Sequence, residues 1–547
     1  MIFLGSAYAA SALDDDFGTI RVREVSILGP GYKIAGKIYI PASISDPTPA
    51  FALGHGVSNG KEVLSGEALE LARNGYIALT VDLKGHGETD AGIGITDLTL
   101  GLSSAVTYLS TRPYVDPTRI GIIGHSMGAG AASAAASSGR DIAALVLIGG
   151  GISSTSYPDM TTTQPSNLLV IVGRNDVLFN VTSLESQLMP VFGSPNPVVP
   201  ESIYGEFGDG SARKLVVTEA VHLTEPVDPA TASEIVAWAN SALYPMVSYP
   251  MPVRAQTYLL RDVLSAVSLL ALIGLIVPVA QVFNGFLPGG LGEPPSVSRR
   301  FLRERTVLLS VGLLGLVLFL PAMLLGNIIG FPTLVFGSSL AWWLLVTGFC
   351  MLMILPLLAE RQSGEVGIIR YLRDSFRVRD VGIAVFVFAS IYAMTYLSYT
   401  LFHQKPSLIV PIFQPLVPAR LGVFPLFLPF FAVYFLAEGL FLHVYRGRQR
   451  AGSTAGNLTR TLSLRLAPYL LLLAAQYVPI FIADYRLLPG YSGFFVEFLW
   501  LIVPLLAASV FVSWALYRYT GRIWCGMVLN TLLFAWASAG LFPFSGF

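Results

Sequence analysis

The pentapeptide Gly124-His125-Ser126-Met127-Gly128 is the part of this sequence whose residue types and spacing point most directly to chemistry. A short apolar segment, 120–123, precedes it and an alanine-rich segment follows, which predicts a strand, a tight turn and a helix. A G-x-S-x-G sequence in that setting presents the serine hydroxyl as a nucleophile, and its glycines leave room where backbone segments crowd together. A plain glycine-rich turn is the alternative, because so short a motif also arises by chance.

The residues around this motif resemble the α/β-hydrolase superfamily, near its dienelactone-hydrolase and lysophospholipase-like esterases. The resemblance covers residues 21–243 and rests on the strand–GHSMG–helix arrangement and on the HG pair in FALGHGVSNG. It implies an α/β fold with a mostly parallel, doubly wound sheet. It also implies that the nucleophilic serine is followed along the chain first by an Asp or Glu and then by a His.

The chain order of that superfamily selects two further residues. His222 is the one histidine that follows Ser126 within the non-membrane part, and it comes directly after the strand-like run in KLVVTEAV. Asp176 follows the strand-like run NLLVIVG, whereas the alternative acids Asp159 and Asp209 follow no strand so directly. The resemblance therefore implies Ser126 as nucleophile, His222 as general base and then acid, and Asp176 as the residue that orients the imidazole.

Two backbone N–H groups are expected to stabilise the oxyanion that such a reaction forms. Met127, at the start of the predicted helix, supplies the first donor. His55 and Gly56 occupy the superfamily's HG position, which implies the Val57 N–H as the second donor. His55 filling space in its loop is the alternative interpretation of that histidine.

Two further histidines, His86 in VDLKGHGETD and His125 inside the pentapeptide, belong to loops beside the expected site. We expect both to line or pack against the site rather than to react. The chemistry requires no metal and no cofactor. The two cysteines, Cys350 and Cys525, lie in apolar segments and form no C-x-x-C pair, so they predict neither a disulfide framework nor a metal site.

The surrounding elements alternate between strand-like and helix-like segments from residue 21 to residue 243, which predicts a parallel sheet covered by helices on both faces. Helices are expected at 61–74, 96–110 and 229–243. The stretch 150–166 is short and polar, and no long insertion separates the later strand–helix units. We therefore expect no large lid, and a site open to small or protruding acyl groups.

The composition excludes an ordinary soluble protein, because 53% of the residues are hydrophobic, only 12% are charged and the mean hydropathy is +0.64. The net charge of zero hides an asymmetry. Residues 1–257 carry 14 Lys and Arg against 24 Asp and Glu, whereas residues 258–547 carry 20 against 10. Basic patches with interleaved aromatic residues are missing from the sequence, which argues against nucleic acid as a partner.

The second part of the chain is predicted to be an all-α transmembrane bundle. After a proline-rich linker at 244–257, eight apolar segments follow, each close to the roughly 20 residues that a bilayer requires. They are expected at 258–283, 306–328, 338–359, 381–402, 423–444, 466–485, 495–516 and 523–545. Residues 1–20 are interpreted as the remnant of a signal or anchor, or as a tail, because their apolar part is too short to span a bilayer.

The loops between these segments predict an orientation. Most cations follow odd-numbered segments: Arg299, Arg300, Arg303, Arg305, Arg361, Arg370, Arg373, Arg377, Arg379, Arg446, Arg448, Arg450, Arg460, Arg465, Arg518 and Arg522. The loops on the other side contain only Lys405, Arg420 and Arg486. By the positive-inside rule the arginine-rich loops are cytoplasmic, which predicts a multi-pass membrane protein with Ser126 on the extracytoplasmic face.

Glu438 is predicted to lie in the middle of a membrane segment, where a carboxylate is costly and is either functional or paired for packing. AEGLFLHVYRG is similar to the EExxxR segment of the CAAX-protease and bacteriocin-processing family, and YTGRIWCGMVLNTLL is similar to its last helix. This chain lacks the family's second glutamate and has Asn530 at the position of its histidine. The resemblance therefore implies an inactive relic that serves as an anchor or for binding.

Together these features predict a membrane-anchored serine hydrolase that cleaves an ester-type acyl bond of a small-molecule or lipid-like substrate. Peptidase and thioesterase activity remain open, because a fold does not select the substrate. A transporter or membrane scaffold with a coupled hydrolase-like part would require a polar cavity around Glu438, Gln476 and Asn530. A non-catalytic binding module would place His222 or Asp176 beyond hydrogen-bonding distance of its partner.

Overall fold

The structure is a computed structural model, and it describes residues 1–44, 46–94, 97–138, 141–150, 160–244, 255–288, 291, 312–363, 368–446 and 454–545. Two parts follow each other along the chain. We call residues 20–243, which contain all the strands of the described residues, the sheet region. We call the residues from Tyr258 onward, which are almost entirely helical, the helical region.

The sheet region contains a nine-stranded sheet within the described residues, in the order β1-β2-β4-β3-β5-β6-β7-β9-β8. Strands β4, β3, β5, β6, β7 and β9 run parallel, and β1, β2 and β8 add antiparallel edges. The predicted mostly parallel sheet is therefore confirmed. The strands are β1 Ile20–Leu28, β2 Lys33–Pro41, β3 Thr48–Gly54, β4 Ile77–Val81, β5 Val115–His125, β6 Ala144–Ile148, β7 Leu168–Gly173, β8 Ile203–Tyr204 and β9 Arg213–Thr218.

Helices cover both faces of this sheet, because its central strands are apolar on both sides and must be shielded from water. Helices α2 and α7 pack in the apolar core of one face, and α3, α4 and α5 pack in the core of the other. These helices are α2 Ser65–Arg73, α3 Leu102–Ser110, α4 Met127–Ala136, α5 Val181–Gln187, α6 Met189–Phe192 and α7 Pro229–Leu243. Helix α2 begins later than the predicted residue 61, because the Lys61 N–H donates to the Asp82 carboxylate instead of starting a helix.

The helical region contains seven helices that are long and apolar enough to cross a membrane, by length and composition and within the described residues. These spans are Tyr258–Phe286, Phe336–Ile354, Val378–Phe402, Pro418–Leu442, Ala455–Ala483, Gly490–Thr520 and Trp524–Leu541. They indicate an integral membrane protein. The segment predicted at 306–328 begins outside the described residues and contributes the shorter apolar helix Phe319–Ile329.

Several of these spans consist of more than one helix. The described helices of this region are α8 Tyr258–Gly274, α9 Ile276–Phe286, α10 Phe319–Ile329, α11 Phe336–Ser363, α12 Ile368–Ser375, α13 Val378–Phe402, α14 Pro418–Leu421, α15 Phe424–Arg446, α16 Thr454–Ala483, α17 Gly490–Glu497, α18 Leu499–Thr520 and α19 Trp524–Leu541. The predicted linker at 244–257 lies mostly outside the described residues.

The N-terminal residues form a helix, α1 Ile2–Asp14, that packs along α8 of the helical region. The Ser6 and Ser268 hydroxyls are 2.7 Å apart, and the Asp14 carboxylate accepts a hydrogen bond of 2.9 Å from Arg261. Asp14 also forms an ion pair with Lys37 of β2. This buried aspartate therefore joins α1 to both regions.

Buried charges also hold the two regions together. Lys405, between α13 and α14, forms an ion pair of 2.6 Å with Glu62 of the sheet region. Burial alone would raise the pKa of Glu62, but the charges of Lys405 and Lys61 outweigh it and lower the pKa well below its usual value. Arg420 donates to the carbonyl oxygens of Gly85 and Gly87. The loop 84–88 and the Glu62 carboxylate therefore depend on cations of the helical region.

We predict that Lys405→Met lowers the free energy of unfolding by about 3 kcal/mol, because Glu62 loses its nearer cation and keeps only Lys61, at 3.5 Å, to balance its buried charge. Denaturant unfolding in mixed detergent micelles would measure this change. Arg373→Met is the matched control, since its side chain is 77% exposed and a surface substitution changes stability by at most about 0.5 kcal/mol. Equal stabilities for the two variants would contradict a stabilising role for Lys405.

Candidate active site

Ser126 occupies the turn between β5 and α4, at the carboxyl edge of the parallel strands. Its φ is 53° and its ψ is −114°, a conformation that residues other than glycine rarely adopt. Its N–H donates to the carbonyl oxygen of Ile148 at the end of β6, over 2.8 Å, which fixes the turn to the next strand. The serine hydroxyl is thereby lifted out of the sheet by a strained backbone that its neighbours stabilise.

The two glycines of the motif allow this turn to form. A Cβ atom on Gly124 would clash with the carbonyl oxygen of Gly128, and a Cβ atom on Gly128 would clash with that of Gly54. Both contacts are with backbone, which cannot move aside without displacing β3 or α4. Larger residues at either position would therefore push α4 away from the sheet and move Ser126 with it.

The structure brings the three residues selected from the sequence into one hydrogen-bonded chain. His222 Nε2 lies 2.9 Å from Ser126 Oγ, and His222 Nδ1 lies 2.8 Å from Asp176 Oδ2. The other carboxylate oxygen of Asp176 accepts hydrogen bonds from the backbone N–H groups of Leu178 and Phe179. A non-catalytic binding module would place His222 or Asp176 beyond hydrogen-bonding distance of its partner, and here both pairs lie within that distance.

The charges around His222 suit a general base whose protonated form is stabilised by the Asp176 carboxylate. Its complete burial would by itself lower the pKa of the imidazole, but the charge and hydrogen bond of Asp176 outweigh burial and raise that pKa above its usual value. A raised pKa means that the imidazolium formed during proton transfer is stabilised. The neutral form, which accepts a proton, is then lost as the pH falls through a value above 6.5.

The backbone expected to form an oxyanion hole lies against the serine. A Cβ atom on Gly56 would lie 3.3 Å from the Ser126 Cβ, and Val57 lines the same small space as Ser126 and His222. Met127 is the first residue of α4, and the first N–H groups of a helix have no acceptor within it. Backbone donors from both sides of the serine are thus near the position that an oxyanion would take.

The other three histidines of the sheet region, His55, His86 and His125, are buried and engaged in structural contacts. His55 Nε2 accepts from the Leu83 N–H over 3.0 Å, and its Nδ1 lies 2.7 Å from the carbonyl oxygen of Gly56. The His86 ring packs edge-on against His55, with ring centroids 5.1 Å apart. His125 Nε2 lies 3.2 Å from the carbonyl oxygen of His222. Burial lowers the pKa of all three imidazoles, which keeps them neutral.

Glu225 is a buried carboxyl group beside the site that the sequence did not single out. Its Oε1 accepts from the Gly173 N–H over 2.6 Å, and burial and the nearby Asp176 charge raise its pKa well above the usual value. His125, His222 and Glu225 place possible ligand atoms within 4.8 Å of one another. Both ring nitrogens of His222 already contact Ser126 and Asp176, so this group fits the hydrogen-bonded chain better than a metal site.

The stretch 150–166, on which the expectation of an open site rests, lies mostly outside the described residues; among the described ones, the helical region lies over part of a half-buried Ser126. Phe494 of α17 packs edge-on against the His222 ring, with centroids 5.2 Å apart, and Phe498 and Leu501 complete the cover. The space between these residues and Ser126 is about 10 Å³, roughly the room of one water molecule. The cover comes from a distant part of the chain, which is why a search for a local insertion did not find it.

Glu497, the last residue of α17, extends from the helical region to the loop that carries His222. Its Oε1 accepts a hydrogen bond of 2.7 Å from the Leu223 N–H, the residue directly after the histidine. Both Glu497 and Leu223 are buried. The sequence gives one indication of Glu497, because this glutamate lies inside the apolar run FFVEFLW, at the edge of a predicted membrane segment.

The loop that carries Asp176 is held by the same part of the helical region. Arg486 donates to the carbonyl oxygen of Asp176 over 3.1 Å and to that of Arg174 over 2.8 Å. The Gly490 N–H donates to the carbonyl oxygen of Val177 over 2.9 Å. The loops of the histidine and of the aspartate are therefore both anchored by residues 486–497.

The other acids considered for the triad do not compete with Asp176. Asp209 lies at the surface and bonds to Ser211 two residues further on. Asp159 lies outside the described residues.

The membrane-segment candidates bond to neighbouring residues of the bundle. Glu438 forms an ion pair of 3.0 Å with Arg465, and Asn530 Nδ2 donates to the carbonyl oxygen of Ser509 and to the Ser513 hydroxyl. Gln476 exchanges two hydrogen bonds with the backbone of Leu488. The large cavity that Asn530 lines is otherwise almost wholly apolar, unlike the polar cavity that the transporter alternative requires. These contacts favour the packing interpretation of Glu438.

Comparison with known proteins agrees with this geometry. Residues 45–189 match the family model described as serine aminopeptidase, S33, a stretch that includes Ser126 and Asp176 but ends before His222. The sheet region has the α/β-hydrolase fold. Over the matched residues this confirms the resemblance to α/β hydrolases that the motifs carry.

Other proteins are similar to part of this chain. An uncharacterized protein of Escherichia coli, YcjY, is 27% identical over 173 residues, which are 30% of this chain and 56% of that protein. The chain thus spans about half the length of this curated relative. A Pyrococcus furiosus esterase has 21% identity and a TM-score of 0.33, covering 42% of this chain and 96% of its own. A Klebsiella pneumoniae protein described as a dienelactone hydrolase has 17% identity and a TM-score of 0.31, covering 40% and 98%.

We predict that Glu497→Gln moves the acid limb of serine reactivity to lower pH, because the Glu497 charge contributes to the raised pKa of His222. The rate of labelling by a fluorophosphonate, measured from pH 5 to pH 9, reports this shift independently of any substrate. The amide oxygen can still accept from the Leu223 N–H, so the rate at high pH should change by less than about threefold.

Glu497→Ala removes the same charge and should shift the acid limb likewise, but it should also lower the labelling rate at high pH by about tenfold, because it leaves the buried Leu223 N–H without an acceptor, at a cost of about 1–3 kcal/mol. Glu219→Gln is the control, since the Glu219 side chain is exposed. Wild-type rates and an unchanged pH profile in both Glu497 variants would show that this contact does not position His222.

Proposed function

We propose that this protein is a membrane-anchored serine hydrolase that cleaves an ester-type acyl bond through an acyl-enzyme on Ser126. The observation that carries the proposal is the chain of hydrogen bonds from Asp176 through His222 to Ser126, at 2.8 and 2.9 Å, on a strained turn. A serine adjacent to a base that is itself oriented by a carboxylate is the arrangement that activates a hydroxyl for nucleophilic attack.

The reaction would follow from this geometry. His222 Nε2 removes the proton of Ser126 Oγ as the oxygen attacks the carbonyl carbon, and the N–H groups of Met127 and Val57 stabilise the oxyanion. His222 then gives the proton to the leaving alkoxide, which departs as an alcohol. A water molecule, deprotonated by His222, attacks the acyl-enzyme and releases the acid and the free serine.

An ester is favoured over a peptide by the walls of the site. An aminopeptidase has to hold the ammonium group of its substrate, yet the cover over Ser126 consists of Phe494, Phe498 and Leu501. The nearby Glu497 carboxylate is already bonded to the Leu223 N–H. A thioester would fit the same walls, and a panel of matched oxygen esters, thioesters and peptide amides distinguishes these reactions.

We further propose that the sheet region lies on the extracytoplasmic face. Its contacts with the helical region involve Lys405, Arg420 and Arg486, the three cations of the arginine-poor loops. Among the described residues of the arginine-rich connections, Arg377 precedes the span Val378–Phe402, which Lys405 follows, and Arg522 follows the span Gly490–Thr520, which Arg486 precedes. By the positive-inside rule those connections face the cytoplasm, which supports an external position for Ser126.

We predict that a fluorophosphonate probe labels the purified full-length protein in detergent, and that Ser126→Ala abolishes the label. His222→Ala should lower the rate of labelling by at least about 10³-fold, because the serine then lacks its base. Ser137→Ala, a serine at the other end of α4, is the control and should react like the wild type. Failure of the folded wild type to react would refute the proposed function.

The orientation is tested by cysteine labelling in a background with Cys350→Ser and Cys525→Ser. Thr107→Cys in the sheet region and Arg373→Cys in an arginine-rich connection both lie at exposed positions. A membrane-impermeant maleimide should label the first in intact cells and the second only after lysis. The reverse pattern would place the sheet region in the cytoplasm.

A further inference from the structure

The helical region contains an apolar cavity of about 560 Å³, within the range of about 300–1,000 Å³ found for ligand sites. Its walls come mainly from α8, α9, α18 and α19 and include Leu269, Ile276, Leu505, Ala508 and Leu533. Polar side chains are nearly absent from this lining, and those of Asn530 and Ser509 are already bonded within the bundle. The chemistry of this space suits a hydrocarbon chain.

The cavity adjoins the candidate active site. Helix α18 lines both spaces, since Leu501 borders the space beside Ser126 and Ala508, about 10 Å further along the helix, borders the cavity. Phe498, which covers Ser126, and Phe542, which lines the cavity, have ring centroids 6.4 Å apart. Phe498 borders one space and Phe542 the other, so this pair of rings links the two linings.

The cavity also opens toward the outer surface of the helical region. Leu270 of the membrane-spanning helix α8 lines the cavity, and yet 63% of this residue is exposed. An exposed leucine in a membrane span faces lipid, because lipid chains are as apolar as the side chain. The cavity is therefore accessible from the side on which a bilayer would supply hydrocarbon chains.

We propose that this cavity binds the hydrocarbon chain of an ester lipid taken from the membrane, while its ester carbonyl lies at Ser126. The inference rests on the proposed function and names the substrate class of that site. The chain passes between Phe498 and Phe542, and this requires the Phe498 ring to rotate away from the serine, since the present space there is about 10 Å³. The same rotation opens the site to the acyl group.

The proposal predicts a dependence on chain length. Each methylene that leaves water for an apolar site contributes about 0.8 kcal/mol, which corresponds to about fourfold in binding. Binding stops improving with chain length once the hydrocarbon chain fills the cavity. This improvement in binding comes from the cavity and not from the serine. A side chain that fills the cavity should therefore remove the dependence on chain length without changing the reactivity of Ser126.

The experiment compares butyrate, octanoate, dodecanoate and palmitate esters of p-nitrophenol with the full-length protein in detergent micelles. Ala508→Phe places a ring in the cavity. Gly285→Phe is the matched control, because Gly285 is an exposed helical position outside the cavity where an added Cβ meets no atom within 4 Å. Fluorophosphonate labelling of each variant verifies that the serine site is intact.

The expected result is a kcat/KM that rises with chain length in the wild type and in Gly285→Phe. In Ala508→Phe, kcat/KM for palmitate should fall at least about tenfold, while the butyrate value and the labelling rate stay unchanged. Two results would overturn this inference alone. The first is a wild type that hydrolyses the butyrate ester with a kcat/KM that does not rise for longer chains, and the second is an equal fall in kcat/KM for all four esters in Ala508→Phe. Absence of both labelling and butyrate hydrolysis would refute the proposed function itself.

Discussion

The hydrogen bond between Glu497 and the Leu223 N–H connects the membrane helices to the candidate catalytic histidine. In a buried site such a bond is strong, and breaking it would leave both a carboxylate and an N–H group without partners. The loop after β9 therefore keeps its shape only while α17 stays in place. Arg486 imposes the same condition on the Asp176 loop, so the geometry around Ser126 depends on how the two regions pack.

Charge explains why the two regions stay packed. The sheet region has an excess of acidic residues, and the helical region places Lys405 against one of them, Glu62; it also places Arg261 against Asp14 of α1. Arg420 adds hydrogen bonds to backbone carbonyl oxygens of the sheet region. Because these cations are buried, each gains more from its partner than it would in water, and losing one is costly.

The position of the cover links the chemistry to the bilayer. A hydrolase with a lid of its own would open toward water, whereas here Phe494 and Phe498 belong to a span that continues into the membrane bundle. The apolar cavity lies on the far side of the same aromatic layer. A substrate that arrives through the helices would displace the cover from the side at which hydrocarbon is available.

The sequence by itself determined the elbow around Ser126 and the choice of Asp176 and His222, because strand, turn and helix are encoded by contiguous residues. Each partner follows its own strand, and parallel strands bring their carboxyl ends to one edge. Hydropathy likewise determined the membrane helices. Only the tertiary structure decided that the site is covered and that Glu497 holds the histidine loop. Leu223 and Glu497 are 274 residues apart, and a hydrogen bond between such distant residues leaves no local pattern in the sequence.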